Sequence, residues 1–115
     1  MPKSTQPTAY PNAGSGPQLS YSEGGRSGTI RYTSSETSFD IWYEFSMPPA
    51  LVSIGIPESR HWEAQTKIPL AQRDDTLQFI AGQVIQDKLS GDGYALFDEL
   101  FITLYPGKNP VAVYD

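Results

Sequence analysis

An aromatic ring flanked by two carboxylates is the feature of this sequence best suited to binding chemistry. Asp40, Trp42 and Glu44 alternate with apolar residues along one short segment. Alternate side chains of a β-strand point to the same face of a sheet, so these three residues would share one face. A tryptophan ring with neighbouring carboxylates can hold a Lys or Arg side chain through cation–π and ion-pair contacts. The pattern therefore predicts a binding surface for a cationic group.

An acid–base pair is the second chemistry that the residue types suggest. His61 is the single histidine, and it follows Glu58 by three residues. Residues three apart on a helix are neighbours, so Glu58 could orient His61 as a general base. A histidine on the surface of a helix turn has the same pattern without any catalytic role. The alternative function is a small hydrolase- or isomerase-like enzyme that uses His61 with a carboxylate.

Sequence motifs for metals, covalent nucleophiles and nucleotides are absent or incomplete. Ser90, Asp92 and Glu99 have the spacing of calcium ligands in an EF-hand loop, but Lys88 takes the place of the first carboxylate. The chain has no cysteine, which excludes disulfides and cysteine-ligated metals. The glycine patterns of phosphate-binding loops and of a serine nucleophile turn are missing. We therefore expect no metal and no cofactor.

The net charge of −5 is concentrated after residue 33. Residues 34–115 carry twelve Asp and Glu against five Lys and Arg, whereas residues 1–33 are slightly basic. An acidic region repels phosphate backbones, which predicts no binding to nucleic acid, and a partner attracted by charge would be a basic protein. The sequence has no apolar run of about 20 residues and no apolar signal-peptide core. We expect no membrane association and a soluble, cytoplasmic protein.

Composition divides the chain into a polar arm and one domain. Residues 1–27 hold four of the ten prolines and little apolar surface. Such a segment cannot offset the entropy of ordering itself, so we expect a flexible N-terminal arm, with a short pairing segment near Leu19–Tyr21. Residues 28–115 are long enough for one modest core and form the single predicted domain.

The periodicity of that domain predicts strands on both sides of a helical block. Apolar residues between Leu77 and Leu89 repeat at helical spacing, which predicts a long helix that begins near Leu70. The remaining predicted elements are strands Thr29–Thr33, Ser38–Phe45 and Ala50–Ile56, a short helix Glu58–Gln65, and strands Tyr94–Phe97, Leu100–Tyr105 and Val111–Tyr114. This order predicts an α+β fold, in which a mostly antiparallel sheet of five to six strands has helices packed on one face.

Trp42 is either a core residue or an interface residue, and its exposure to solvent decides between the two. On strand Ser38–Phe45, the face with Phe39 and Phe45 is predicted to be core. Trp42 joins the core if helices or the arm cover its face, and it is an interface anchor if its face is open. We expect a non-enzymatic protein-binding module for a basic protein, with homodimerisation through the same face or a sheet edge as a further alternative. Bacterial immunity proteins, which neutralise toxins, are similar in size and acidity, an analogy that transfers no residue role.

Overall fold

Residues 16–109, the part of the chain that the computed structural model describes, form one antiparallel sheet and two helices. The elements in chain order are β1 (Gln18–Gly24), β2 (Ser27–Thr33), β3 (Ser38–Phe45), β4 (Val52–Gly55), α1 (Ser59–Thr66), α2 (Arg73–Leu89), β5 (Gly93–Phe97) and β6 (Phe101–Pro106). A 3-10 turn, Leu70–Gln72, leads into α2.

The sheet has the strand order β1-β2-β3-β4-β6-β5, and every neighbouring pair is antiparallel. The first four strands follow one another as a meander. The helical block comes next, and the chain returns as the β5–β6 hairpin, whose second strand pairs with β4. The predicted α+β class is confirmed, with the helices between two groups of strands.

Strand β3 shows how the sheet divides into two faces. Its side chains alternate between exposed and buried from Ser38 to Glu44, as predicted. Phe39, Ile41 and Tyr43 face the helices and belong to the core. The other buried apolar residues of that core are Ile30, Tyr32, Val52, Ile54, Ile56, Trp62, Ile68, Leu77, Ile80, Ala81, Val84, Ile102 and Leu104. Within residues 16–109 both helices pack on this side, and we call the opposite side the open face.

Helix α2 follows the apolar stripe that predicts it. Asp74 and Asp75 lie in its first turn, where carboxylates interact favourably with the positive end of the helix dipole. The helix ends at Ser90, which adopts the left-handed conformation with φ 57°. The buried residues on its sheet-facing side include Leu77, Ile80, Ala81 and Val84.

Helix α1 joins the core through a buried tryptophan. The Trp62 ring is fully buried and meets Phe39 edge-on, with 6.0 Å between ring centroids. Thr66 closes the helix, because its Oγ1 donates to the carbonyl oxygen of Trp62 (2.8 Å) and accepts from the N–H of Ile68 (3.1 Å). These contacts fix α1 beside β3 and set the position of its first turn.

Strand β1 lies within the segment predicted as an arm. Leu19 and Tyr21 pack against the core, and the strand pairs with β2 over its whole length. The Tyr21 hydroxyl donates to Asp87 at 2.6 Å, and the Lys88 ammonium lies 4.3 Å from the centre of the Tyr21 ring. Contacts with α2 therefore offset the entropy lost when this strand, which is poor in apolar residues, becomes ordered. As a result the sheet begins at Gln18.

Two predictions fall on the ends of the chain. Residues 1–15, most of the predicted flexible arm, lie outside the described residues. The predicted last strand, Val111–Tyr114, lies outside them as well. Both stay predictions.

Candidate binding groove

The open face brings aromatic side chains of β3 and β6 together. Trp42 lies opposite Thr29 of β2, and Phe101 of β6 lies opposite Gly55 of β4. The rings of Trp42 and Phe101 meet edge-on, with 6.5 Å between centroids. Both remain partly exposed, 43% for Trp42 and 39% for Phe101. The two aromatic side chains thus form one surface across three adjacent strands.

Gly55 of β4 lies directly beneath the Trp42 ring. A Cβ built on Gly55 would lie 3.1 Å from Cε3 of Trp42, closer than a normal van der Waals contact. The edge of the indole therefore packs against β4, and a Cβ at this position would require it to shift by a few tenths of an ångström. The missing side chain of Gly55 is thus what lets the sheet accommodate Trp42.

The Asp40 carboxylate is already paired within the sheet. Arg31 lies opposite Asp40 on β2, and its Nε and Nη2 donate to the two carboxylate oxygens at 2.9 and 3.1 Å. Both side chains are about half exposed. The geometry is that of a bidentate guanidinium–carboxylate pair. Asp40 therefore contributes less free negative charge to the open face than the sequence alone suggests.

Glu44 provides the unpaired carboxylate of the predicted surface. It is exposed, lies opposite Ser27 and Ser53, and forms no ion pair with any of residues 16–109. It shares its face with Trp42, two residues away on the same strand. The three predicted binding residues therefore lie side by side on the open face, with one carboxylate paired and one unpaired.

A groove of about 440 Å³ runs between the open face and the first turn of α1. We call it the Trp42 groove. Its lining residues are Asp40, Ile41, Trp42, Gly55, Ile56, Pro57, Glu58, His61, Gln65, Leu100 and Phe101. Two sets of candidate residues that are distant in the sequence line this one groove. Asp40 and Trp42 of β3 form one side, and Glu58 and His61 at the start of α1 form the other. Glu44 lies on the same face but outside the lining.

The His61–Glu58 pair lacks the geometry of a catalytic dyad. Nε2 of His61 lies 3.9 Å from Oε1 of Glu58, which is longer than a hydrogen bond. The same oxygen accepts a hydrogen bond from Nε of Arg60 at 2.9 Å. His61 is half exposed on the rim of the groove. Catalysis by His61 with Glu58 stays a prediction, and the arrangement in place is an arginine–carboxylate pair.

Arg73 and Glu99 join the segments next to the groove, although neither residue lines it. Arg73 is buried, and its Nη2 donates to the carbonyl oxygens of Pro57 (2.9 Å) and Glu99 (3.1 Å). The Glu99 carboxylate accepts the backbone N–H of Ser59 and its hydroxyl, which caps the start of α1. The Ser59 N–H first, and then the Ser59 hydroxyl, hold the pKa of Glu99 below its ordinary value. These contacts tie the start of α1 to the β5–β6 turn.

Sequence reasoning misses three of the residues that shape this groove. Phe101 is predicted in a strand, but with no assigned face. Glu99 is considered as a calcium ligand, although it caps α1, and the buried position of Arg73 has no local signal. The alternation of Phe101, Thr103 and Tyr105 with buried Ile102 and Leu104 is the signal that could have placed the first of them on the open face.

Metal and membrane chemistry find no support in the part of the chain that the structure describes. No three metal-ligating side chains come together there. Neither helix combines the length and the apolar character that crossing a lipid bilayer requires.

No protein-family model, no curated protein and no solved structure matches this chain. The function must therefore be argued from the residues of the open face.

Proposed function

We propose that this protein is a non-enzymatic protein-binding module whose open face receives a basic protein. The observation that carries the proposal is the exposure of Trp42. The residue keeps 43% of its surface accessible although its ring packs against Phe101 and Gly55. Tryptophan is among the residues that most often anchor protein interfaces.

Exposed apolar side chains extend the surface from Trp42 towards the β5 edge. Phe101 and Leu100 continue it within the lining of the groove, and Leu96, opposite Thr103, is exposed on the open face of β5. Tyr94 and Tyr105 stack on each other at 5.3 Å between centroids. Contiguous apolar surface of this kind is typical of a protein interaction site.

The charge of the protein favours a basic partner. Residues 16–109 carry twelve Asp and Glu against seven Lys and Arg. Oppositely charged surfaces accelerate association and select partners more than they raise final affinity. Glu44 supplies unpaired negative charge next to Trp42, which suits a partner with Lys or Arg at the centre of its own surface.

A matched pair of variants tests the proposal. The partner is captured on immobilised protein, identified and purified, and its Kd is measured by calorimetry for wild type, Trp42→Ala and Leu70→Ala. Leu70 is exposed to a similar degree (47%) but lies in the 3-10 turn, outside the groove. We expect Trp42→Ala to weaken binding by about 30-fold, roughly 2 kcal/mol, and Leu70→Ala to change it less than about twofold.

Two outcomes would contradict the proposal. The first is an equal Kd for wild type and Trp42→Ala. The second is an acidic partner whose association rate does not fall with added salt. Salt screens the attraction between opposite charges, so the association rate of a basic partner must fall. Homodimerisation through the same face stays a prediction, which light scattering at several protein concentrations can test. The cytoplasmic location also stays a prediction, for cell fractionation.

A further inference from the structure

Both carboxylates of the Trp42 groove hold an arginine of this chain. Asp40 accepts two hydrogen bonds from Arg31, and Glu58 accepts one from Arg60. Neither arginine lines the groove itself. The groove therefore presents carboxylates that already bind guanidinium groups, next to an exposed tryptophan ring.

The two pairs differ in how firmly they are held. Arg31 and Asp40 face each other across two paired strands and share two hydrogen bonds. Arg60 lies only two residues after Glu58, forms one hydrogen bond to Oε1, and keeps 78% of its side chain exposed. No hydrogen bond within the described residues reaches Oε2 of Glu58. Exposed pairs of this kind contribute little stability, so a competing cation can take over Glu58 at small cost.

We infer that the Trp42 groove binds the guanidinium of an arginine from the partner, which competes with Arg60 for the Glu58 carboxylate and stacks against Trp42. The inference rests on the proposed function and names the side chain that the open face recognises. Arginine fits better than lysine because its planar group stacks on an aromatic ring while it donates in pairs to a carboxylate. In the absence of a partner, Arg60 donates to Oε1 of Glu58, one of the two oxygens that a paired contact with the incoming guanidinium would use.

Competition between Arg60 and the partner's arginine for Glu58 predicts an effect of Arg60 on affinity that exceeds that of other surface arginines. Removing Arg60 frees Glu58 and should strengthen binding, although the substitution lies outside the groove. The energy of an exposed ion pair corresponds to a change of about two- to fivefold in Kd for Arg60→Gln. Glu58→Gln should weaken binding by a similar factor. Arg26→Gln removes the same charge from the exposed β1–β2 turn and should leave Kd unchanged within error.

The test uses the uniformly ¹⁵N-labelled protein and three blocked tripeptides, glycine–X–glycine with arginine, lysine or citrulline as X. The two indole N–H signals serve as site reporter and control, because Trp42 is exposed in the groove and Trp62 is fully buried. We expect the arginine peptide to shift the Trp42 signal with a Kd in the millimolar range. The lysine peptide should bind more weakly, the neutral citrulline peptide should give no saturable shift, and the Trp62 signal should stay in place.

Each result of the titrations decides for or against the inference. Equal affinity for arginine and lysine, no Trp42 shift at a peptide concentration of about 20 mM, or the same effect of Arg60→Gln and Arg26→Gln would overturn it. The purified partner separates this failure from that of the proposed function. If the partner needs Trp42 but binds the Arg60→Gln variant no more tightly, the protein-binding function stands and guanidinium recognition at Glu58 does not.

Discussion

Replacement of the buried Arg73 by methionine is the sharpest test of how the groove is held in place. Nη2 of Arg73 donates to two main-chain carbonyl oxygens, those of Pro57 in the β4–α1 connection and Glu99 in the β5–β6 turn. The guanidinium also lies 5.7 Å from the centre of the Trp62 ring. Methionine retains the apolar stem and packs against Trp62, but it removes both donors.

The expected loss follows from these contacts. A hydrogen bond that involves a charged group contributes about 1.5–3 kcal/mol, and two partly buried main-chain carbonyl groups would lose this donor. A cation–π contact adds roughly 0.5–2 kcal/mol. The variant also relieves the cost of burying a charge whose Nε has no hydrogen-bond partner among the described residues. We therefore expect Arg73→Met to lower the free energy of unfolding by about 2–3 kcal/mol, and Arg73→Lys by about 1–2 kcal/mol.

Urea unfolding followed by far-ultraviolet circular dichroism measures this difference. The slope of free energy against urea should be unchanged, since the substitution alters stability and not the surface exposed on unfolding. The reasoning is refuted if Arg73→Met is as stable as wild type or more stable, because the burial of the charge would then outweigh its hydrogen bonds. Equal losses for Met and Lys would show that the charge contributes nothing.

Three further predictions concern pH, backbone contact and exposure. The lowered pKa of Glu99 means that its contribution to stability is complete above its ordinary value of 4.5 and is lost as the pH falls through the lowered value. The urea midpoints of wild type and Glu99→Gln should therefore differ by a constant amount at neutral pH and converge in acid; a constant difference throughout would contradict the cap. Gly28→Ala places a Cβ 2.1 Å from a carbonyl oxygen of β1, so it should cost about 1–3 kcal/mol in a urea titration, whereas Gly24→Ala meets nothing within 4 Å and should have little effect. Acrylamide should quench the fluorescence of a Trp62→Phe variant, which retains Trp42, far more than that of a Trp42→Phe variant, and equal quenching would mean that Trp42 is covered.

The elements that were predicted well are those that bury one face regularly. Strand β3 has the predicted bounds because its alternation continues for eight residues. Helix α2 has an apolar stripe long enough to exclude a strand, although a 3-10 turn occupies the first predicted residues from Leu70. In both cases the spacing of apolar residues along the segment is enough to predict the type of element and the face that packs against the core.

The groove could not be predicted because it depends on which elements meet. Its lining comes from β3, from the end of β4 and its connection to α1, from α1 itself and from the start of β6, and no periodicity shows that these segments are neighbours. Strand β1 was predicted only as a short pairing segment near Leu19–Tyr21, for a related reason. Its Ser, Glu and Gly residues are poor strand formers, and its stability comes from contacts of Tyr21 and Glu23 with Asp87 and Lys88 of α2, more than 60 residues later.

Gly55 suggests how the choice of partner could change during evolution. The Trp42 ring packs against this residue, so a methyl group there would require the indole to shift by a few tenths of an ångström, and a larger side chain by more. A substitution at this position would thus alter the depth of the groove without replacing any side chain that a partner contacts. Homologous chains that carry alanine or serine at position 55 are therefore expected to have diverged in what they bind, even where every contact residue is retained.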